Sequence, residues 1–215
     1  MNSIQKNVLT RMRKLGAGKI HTSKDFLDLG SRAAVDQALS RLTEHKTIRR
    51  LGQGLYHIPR MNPTLGIELA PDMDTVAHAI ARKTGSRVVP SGAVAANWLG
   101  LSTQVPAKPV YLTDGKSRSI RVGNTVFTMK HVSPRDLPLG SSTSAMVFQA
   151  LRHIGKESIN EDTITHLRKR LAAEDRRKLL KDLLYVTGWI AEAARKVCPN
   201  GRVGSAQPPD LWLKR

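Results

Sequence analysis

Residues 47–60 read TIRRLGQGLYHIPR, and both ends of this stretch are rich in residues that favour β-strands. Between them lies GQG, in which Gly52 and Gly54 can take positive φ without a steric cost. The stretch therefore predicts a two-stranded hairpin. Arg49 and Arg50 stand just before the turn, where positive charge suits a wing that contacts the phosphate backbone of DNA.

Three predicted helical segments precede the hairpin. The first covers residues 3–15, because four apolar residues recur there at helical spacing: Ile4, Val8, Met12 and Leu15. Gly16 and Gly18 end this helix. A shorter segment follows, in which Thr22 and Asp25 form a candidate capping box and Gly30 is expected in the left-handed conformation.

The next helix begins after Ser31, its predicted N-cap, and has one apolar and one polar face. The apolar face consists of Val35, Ala38, Leu39 and Leu42. The polar face consists of Arg32, Ala33, Asp36, Gln37, Ser40 and Arg41. This spacing suits a generic helical hairpin and a helix-turn-helix equally well. A basic hairpin directly after the helix favours a winged helix-turn-helix, whose second helix can enter the major groove.

The charge of the chain narrows the choice of partner. Its 215 residues include 35 Lys and Arg against 17 Asp and Glu, a net charge of +18. Such a surplus attracts a polyanion, most commonly nucleic acid, and charge alone allows RNA or the ribosome as well as DNA. An anionic membrane is the rival, but no apolar run approaches the ~18 residues of a membrane span and no signal-peptide pattern opens the chain. The single cysteine is typical of the cytoplasm.

The sequence after residue 60 changes in character. Residues 60–74 follow Pro59, contain two further prolines and show little periodicity, so they are predicted to be a connector, and Asp74 could cap the short helix after it. Strand patterns cover residues 108–132, and helical patterns dominate from residue 143 onwards. We predict an α+β fold, with a winged helix-turn-helix DNA-binding domain at 1–60 and a mixed α/β domain with C-terminal helices at 61–215.

Patterns for catalysis and metal binding are weak. The sequence GAGK at 16–19 lacks the first glycine and the Ser/Thr of a P-loop, and no histidine pair or cysteine set indicates zinc. Asp72 and Asp74 are more typical of a helix cap than of a metal site. A metal-dependent nuclease would need an acidic residue two positions before Lys130, where Thr128 stands. We expect no enzymatic activity, no cofactor and no metal, with a DNA-processing nuclease as the enzymatic alternative.

The C-terminal helices carry two basic clusters, at residues 168–170 and 176–178. Acidic residues are interleaved with them, so a solvated face is the simplest prediction, with extra DNA contact or a partner surface as alternatives. Trp98 and Trp189 are predicted to lie in the core, and Cys198 is expected to be packed at the end of an apolar helix.

Two segments resemble a known family. Residues 24–60, KDFLDLGSRAAVDQALSRLTEHKTIRRLGQGLYHIPR, and residues 90–124, PSGAVAANWLGLSTQVPAKPVYLTDGKSRSIRVGN, resemble the AbiEi family of type IV toxin–antitoxin system antitoxins. The similarity runs in order from about residue 5 to about residue 155.

The resemblance implies a bacterial antitoxin that binds inverted repeats in its own promoter and represses its operon. It also implies a nucleotidyltransferase-like toxin as the partner, which such proteins generally counteract without a stable complex. We expect a protein of the cytoplasm and nucleoid, monomeric in solution or dimeric on DNA. The DNA-binding positions carried onto this chain are Ser31, Arg32, Gln37, Ser40, Arg41, Arg49, Arg50 and Gln53. A plain winged-helix transcriptional regulator is the alternative.

Overall fold

The computed structural model of the protein describes residues 3–52, 54–123, 125–134, 136–186 and 188–198, which form an α+β fold. The helices are α1 (Ser3–Leu15), α2 (Arg32–Glu44), α3 (Met73–Thr84), α4 (Gly92–Trp98), α5 (Ser142–Ile154), α6 (Glu161–Arg170), α7 (Ala173–Asp182) and α8 (Gly188–Val197). The strands are β1 (Ile20–His21), β2 (Arg49–Gly52), β3 (Leu55–His57), β4 (Arg60–Met61), β5 (Glu68–Leu69), β6 (Val88–Pro90), β7 (Val110–Thr113), β8 (Arg118–Val122) and β9 (Thr125–His131). A 3₁₀ helix, Ser23–Phe26, lies between β1 and α2.

The strands form three sheets, with the orders β1-β3-β2, β4-β5 and β6-β7-β9-β8. In the first sheet β3 is central and antiparallel to both neighbours, so that His57 lies opposite Ile20 on one side and Arg49 on the other. The register of β2 against β3 shifts between Arg50 and Gly52. The predicted hairpin is therefore confirmed.

The chain divides into two compact units. The first comprises Met1–Val88 and Ser117–Met129, and the second Val89–Lys116 and Lys130–Arg215. The first unit thus continues beyond residue 60, where we predicted a domain boundary. One reason is that Arg82 of α3 donates from Nη2 to the carbonyl oxygen of Ile20 at 3.0 Å, which ties α3 to β1. The predicted domains, residues 1–60 and 61–215, have other boundaries than these two compact units and stay predictions.

The core of the first unit forms where α1, the 3₁₀ helix and α2 pack together. Its buried residues include Val8, Met12, Phe26, Val35, Ala38, Leu39 and Leu42. The apolar face predicted for α2 is confirmed. Leu15 is 51% exposed, so its predicted place on the buried stripe of α1 is wrong. It is the last residue of that helix, and the packed stripe is completed by Leu9 instead.

Two glycines differ from their predicted roles. Gly54 has a positive φ of 68°, whereas Gly30 and Gly52 do not have positive φ. Gly52 is extended because it is the last residue of β2 and pairs with Leu55. A Cβ at position 30 would lie 2.8 Å from Cδ1 of Ile4, so the close approach of α1, rather than backbone conformation, favours glycine there.

Residues 60–74 are not the irregular connector that we predicted. β4 and β5 pair antiparallel, and the side chain of Asn62 accepts two backbone N–H groups in the turn between them. The N-cap of α3 is Asp72 rather than Asp74, because Oδ2 of Asp72 accepts from the backbone N–H of Thr75 at 3.0 Å. The aspartate pair therefore does cap the helix, through its first member.

The core of the second unit is built from α4–α8. α4 and α5 pack closely because Gly92 has no side chain: a Cβ there would lie 2.8 Å from the carbonyl oxygen of Gln149. Asn160 caps α6, accepting from the backbone N–H of Thr163 at 2.9 Å. On α7, Leu179 is buried and Leu180 is 42% exposed, and Leu184, which follows this helix, is 83% exposed.

The C-terminal basic clusters are not simply a solvated face. Arg168 donates to the carbonyl oxygen of Lys196, Arg170 to that of Trp98, and Arg176 to that of Leu171. Three of the six basic residues therefore tie the ends of helices together. Trp98 and Trp189 pack against the core, and Cys198 is buried, as predicted.

Candidate nucleic-acid interface

The exposed side of α2 is the first part of the candidate interface. Ser31, the predicted N-cap, accepts from the backbone N–H of Ala34 at 3.3 Å, so its hydroxyl holds the start of the helix. Because the apolar side chains of α2 occupy the opposite side, four of the predicted DNA-binding residues are exposed: Arg32, Gln37, Ser40 and Arg41. The helix therefore presents the predicted polar face to solvent.

Arg32 is held by a neighbouring carboxylate. Its Nε donates to Oδ2 of Asp36, one turn later, at 2.8 Å. The hydroxyl of Ser23 donates to the other oxygen of Asp36 at 2.5 Å. Burial raises the pKa of Asp36, but the hydrogen bonds from Ser23 and Arg32 outweigh it and hold the pKa below its ordinary value. Part of the charge of Arg32 is therefore neutralised within the protein.

Ser40 is also engaged, whereas Gln37 and Arg41 are not. The Ser40 hydroxyl donates to Oε1 of Glu44 at 3.0 Å, which places a carboxylate on the exposed side of α2. Within the described part of the chain, the side chains of Gln37 and Arg41 form no hydrogen bond or ion pair. These two are the α2 side chains most available to a ligand.

The hairpin of β2 and β3 is the second part of the candidate interface. Arg50 is exposed and donates from Nε to the carbonyl oxygen of Gly52 at 3.2 Å, close to the turn. Arg49 is exposed as well, but its Nε lies 3.7 Å from Oε2 of Glu68 on β5. Gln53, which we predicted to contact DNA, lies outside the described residues. Of these two hairpin arginines, Arg50 is therefore the one with less competition from a protein carboxylate.

Two buried histidines belong to the same sheet as this hairpin. His21 on β1 is 4% exposed and His57 on β3 is 1% exposed. Among the described residues, neither ring nitrogen of His57 has a hydrogen-bond partner. The same is true of Nε2 of His21. Burial lowers the pKa of both imidazoles below the ordinary value. The sheet is thus built around neutral histidines.

A further titratable pair lies at the start of α3. Burial, helped by the charge of Asp72, raises the pKa of Asp74 to about 7. Nε2 of His78 lies 3.5 Å from Oδ1 of Asp74, but burial lowers the pKa of His78, so the imidazole is neutral near pH 7 and offers little compensation. Residues 3–198, apart from the gaps in the description, contain no group of three or more His, Cys, Asp and Glu suited to a metal ion.

Sequence reasoning missed the carboxylates that engage three of the predicted DNA-binding side chains, those of Arg32, Ser40 and Arg49. Two of the pairings, Arg32 with Asp36 and Ser40 with Glu44, have the i, i+4 spacing of neighbours on a helix and were readable from the sequence. The pairing of Arg49 with Glu68 depends on how β4 and β5 fold back, and no local pattern indicates it.

The fold and the exposed side chains define an α+β protein whose first compact unit combines a polar helix face with a basic hairpin. Residues 7–179 match the model of a family described as a family of unknown function, DUF6088, and the protein belongs to that family. The sequence has no significant match among curated proteins. The resemblance to the AbiEi antitoxins stays a prediction. None of the described helices is both long and apolar enough to cross a membrane.

Proposed function

We propose that the protein binds double-stranded DNA through its first unit, which acts as a winged helix-turn-helix. The supporting observation is the arrangement of this unit: helix, strand, 3₁₀ helix, helix and two strands, with β3 between β1 and β2. In this arrangement the exposed side of α2 and the β2–β3 hairpin come from consecutive segments of one small core. They can therefore act as a recognition helix and its wing.

Recognition would proceed from general to specific contacts. The net charge of +18 draws the protein to DNA at long range. Arg50, with a smaller contribution from Arg49, contacts phosphates and sets the register. Gln37 and Arg41 then reach base edges, where glutamine pairs with adenine and arginine with guanine. Arg32 joins them only by exchanging its bond to Asp36 for one to DNA.

The biological role that we propose is that of a bacterial antitoxin and autorepressor in the cytoplasm, as the resemblance to the AbiEi family implies. Two copies on an inverted repeat would block the promoter of the operon. The second unit would counteract a nucleotidyltransferase-like toxin, with or without direct contact. No enzymatic step is part of this proposal.

DNA binding is tested by footprinting the full-length protein on the DNA upstream of its own gene, with Arg41→Ala as the comparison. We expect protection of two half-sites in inverted orientation, lost in the variant. Uniform protection without half-sites, or protection equally strong with Arg41→Ala, would contradict specific recognition by α2. Cleavage of the probe on addition of Mg²⁺ would support the nuclease alternative instead.

The antitoxin role is tested in cells that express the neighbouring gene. We expect growth arrest that is relieved by the full-length protein and also by the double variant Arg41→Ala/Arg50→Ala, because neutralisation is assigned to the second unit. A neighbouring gene without toxicity would leave a plain transcriptional regulator as the better assignment.

A further inference from the structure

We infer that the last turn of α3 is a third element of the nucleic-acid interface, in which Lys83 contacts a phosphate beside the wing. This inference rests on the proposed function and extends it to residues beyond the hairpin. The group that Lys83 contacts is the sugar–phosphate backbone of a duplex, so this contact has no preference for base sequence.

The position of Lys83 relative to the wing carries the inference. Its Nζ lies 3.1 Å, and its Cε 3.4 Å, from the point that a Cβ on Gly54 would occupy. Gly54 follows the turn between β2 and β3 and has φ of 68°. The missing side chain lets the ammonium group approach the backbone of the hairpin. The positive charge of α3 is thereby added to that of Arg50, at the same hairpin.

The turn of α3 that carries Lys83 is fixed by the contacts of the neighbouring residue, Arg82. Arg82 donates to the carbonyl oxygen of Ile20 at 3.0 Å and lies 3.6 Å from Oδ2 of Asp25 in the 3₁₀ helix. These contacts fix the last turn of α3 to β1 and to the segment before α2. A lysine on a fixed turn loses less side-chain and backbone freedom when it binds a phosphate than one on a mobile loop.

The end of α3 has hydrogen-bond donors other than Lys83. A basic residue often serves the negative end of a helix. Here the Thr84 hydroxyl donates to the carbonyl oxygen of Ile80, and the N–H of Gly85 donates to those of Ala81 and Arg82. Lys83 therefore adds a positive charge beside the hairpin at a helix end where other groups serve these three carbonyl oxygens.

The test compares full-length variants on a fluorescein-labelled duplex of mixed sequence and roughly 30 base pairs, titrated at several salt concentrations. We expect Lys83→Gln to reduce the slope of log Kd against log salt by about one, and Lys83→Arg to restore it. Lys181→Gln, which removes the same charge from an exposed position on α7, serves as the control and should leave the slope unchanged. Thermal unfolding of each variant is measured in parallel.

The possible outcomes separate the role of α3 from DNA binding by the protein as a whole. An unchanged slope in Lys83→Gln, while Arg50→Ala lowers it, would overturn the role of α3 and leave the proposed function intact. Equal effects of Lys83→Gln and Lys181→Gln would also overturn it, because the contribution would then be general charge. A weaker affinity with an unchanged slope and a lower Tm would assign Lys83 a purely structural role. If the wild-type protein does not bind the duplex at all, both proposals fail.

Discussion

Arg32 and Asp36 form an ion pair across one turn of α2, with Nε of the arginine 2.8 Å from Oδ2 of the aspartate. Arg41 lies on the same helix and has no such partner among the described residues. The two arginines therefore differ in the free energy that is needed to make the guanidinium group available for a contact with DNA. Arg32 must first give up a charge-assisted hydrogen bond, and Arg41 need not.

This difference predicts unequal effects of two alanine variants. Arg41→Ala should reduce discrimination between the promoter duplex and a scrambled duplex by about 1–3 kcal/mol, the value of one bidentate contact to guanine. Arg32→Ala should reduce it by clearly less. Competition measured by fluorescence anisotropy provides both values, and a larger loss with Arg32→Ala would reverse our assignment of the two residues.

The wing arginines should differ in the same way. Arg50→Ala should weaken binding to all duplexes about equally and lower the salt slope by about one. Arg49→Ala should have a smaller effect, because Glu68 already neutralises part of its charge at 3.7 Å. Glu68→Gln is the matched control: it frees Arg49 and should steepen the salt dependence. Identical slopes for Glu68→Gln and the wild type would show that the pair does not restrain Arg49.

The buried histidines predict a loss of stability in acid. Because burial lowers the pKa of His57 in the folded state, the unfolded chain takes up protons first as the pH falls below the ordinary histidine value of about 6.5. The stability contributed by neutral His57 is thus present above that pH and is lost as the pH falls through the folded-state pKa. His57→Leu should flatten this dependence, and His21 and His78, whose pKa values burial also lowers, act in the same direction.

Urea unfolding of the wild type and His57→Leu between pH 5 and pH 8 measures the effect. The free energy of unfolding of the wild type should decrease relative to that of His57→Leu as the pH falls, since only the wild type must protonate a buried ring at position 57. Parallel curves over the whole range would show that His57 does not titrate differently in the folded and unfolded states.

The raised pKa of Asp74 predicts the opposite pH dependence of stability, a loss as the pH rises. Its folded-state pKa is raised to about 7, so the folded protein holds this proton more tightly than the unfolded chain does. The contribution of Asp74 to stability is therefore fully present below the unfolded pKa near 4 and is lost as the pH rises through about 7. Asp74→Asn should have little effect at pH 4 and should stabilise the protein by of order 2–4 kcal/mol at pH 8. A variant that is equally or less stable than the wild type at pH 8 would contradict the buried charge.

Much of the first unit could be predicted because its signals are local. The apolar face of α2 at Val35 and Leu39, the cap at Ser31 and the hairpin around Gly54 each depend on residues only a few positions apart. Such patterns report the period of a helix or the geometry of a turn directly. The exposure of Arg41 followed from the same periodicity.

The other features of the fold and of the candidate site depend on contacts between residues far apart in the sequence. Local periodicity does not reveal such contacts. Examples are the ion pair of Arg49 with Glu68 and the approach of Lys83 to Gly54. At Gly30, the side chain of Ile4 on α1 leaves little room for a Cβ. The local sequence predicts a left-handed turn there instead. In the second unit, the sequence predicts a solvated face around Arg176, yet this residue donates to the carbonyl oxygen of Leu171 at the end of α6.

The most direct test of DNA recognition by α2 and its hairpin is a salt titration of full-length wild-type protein and the double variant Arg41→Ala/Arg50→Ala. Each is measured by anisotropy on the promoter duplex, a scrambled duplex and double-stranded RNA of the promoter sequence. We expect the wild type to prefer the promoter duplex at every salt concentration. The double variant should lose that preference and show a shallower salt slope, with an unchanged Tm. Equal affinities of the two proteins for the promoter duplex, or a wild-type preference for the RNA, would contradict the assignment.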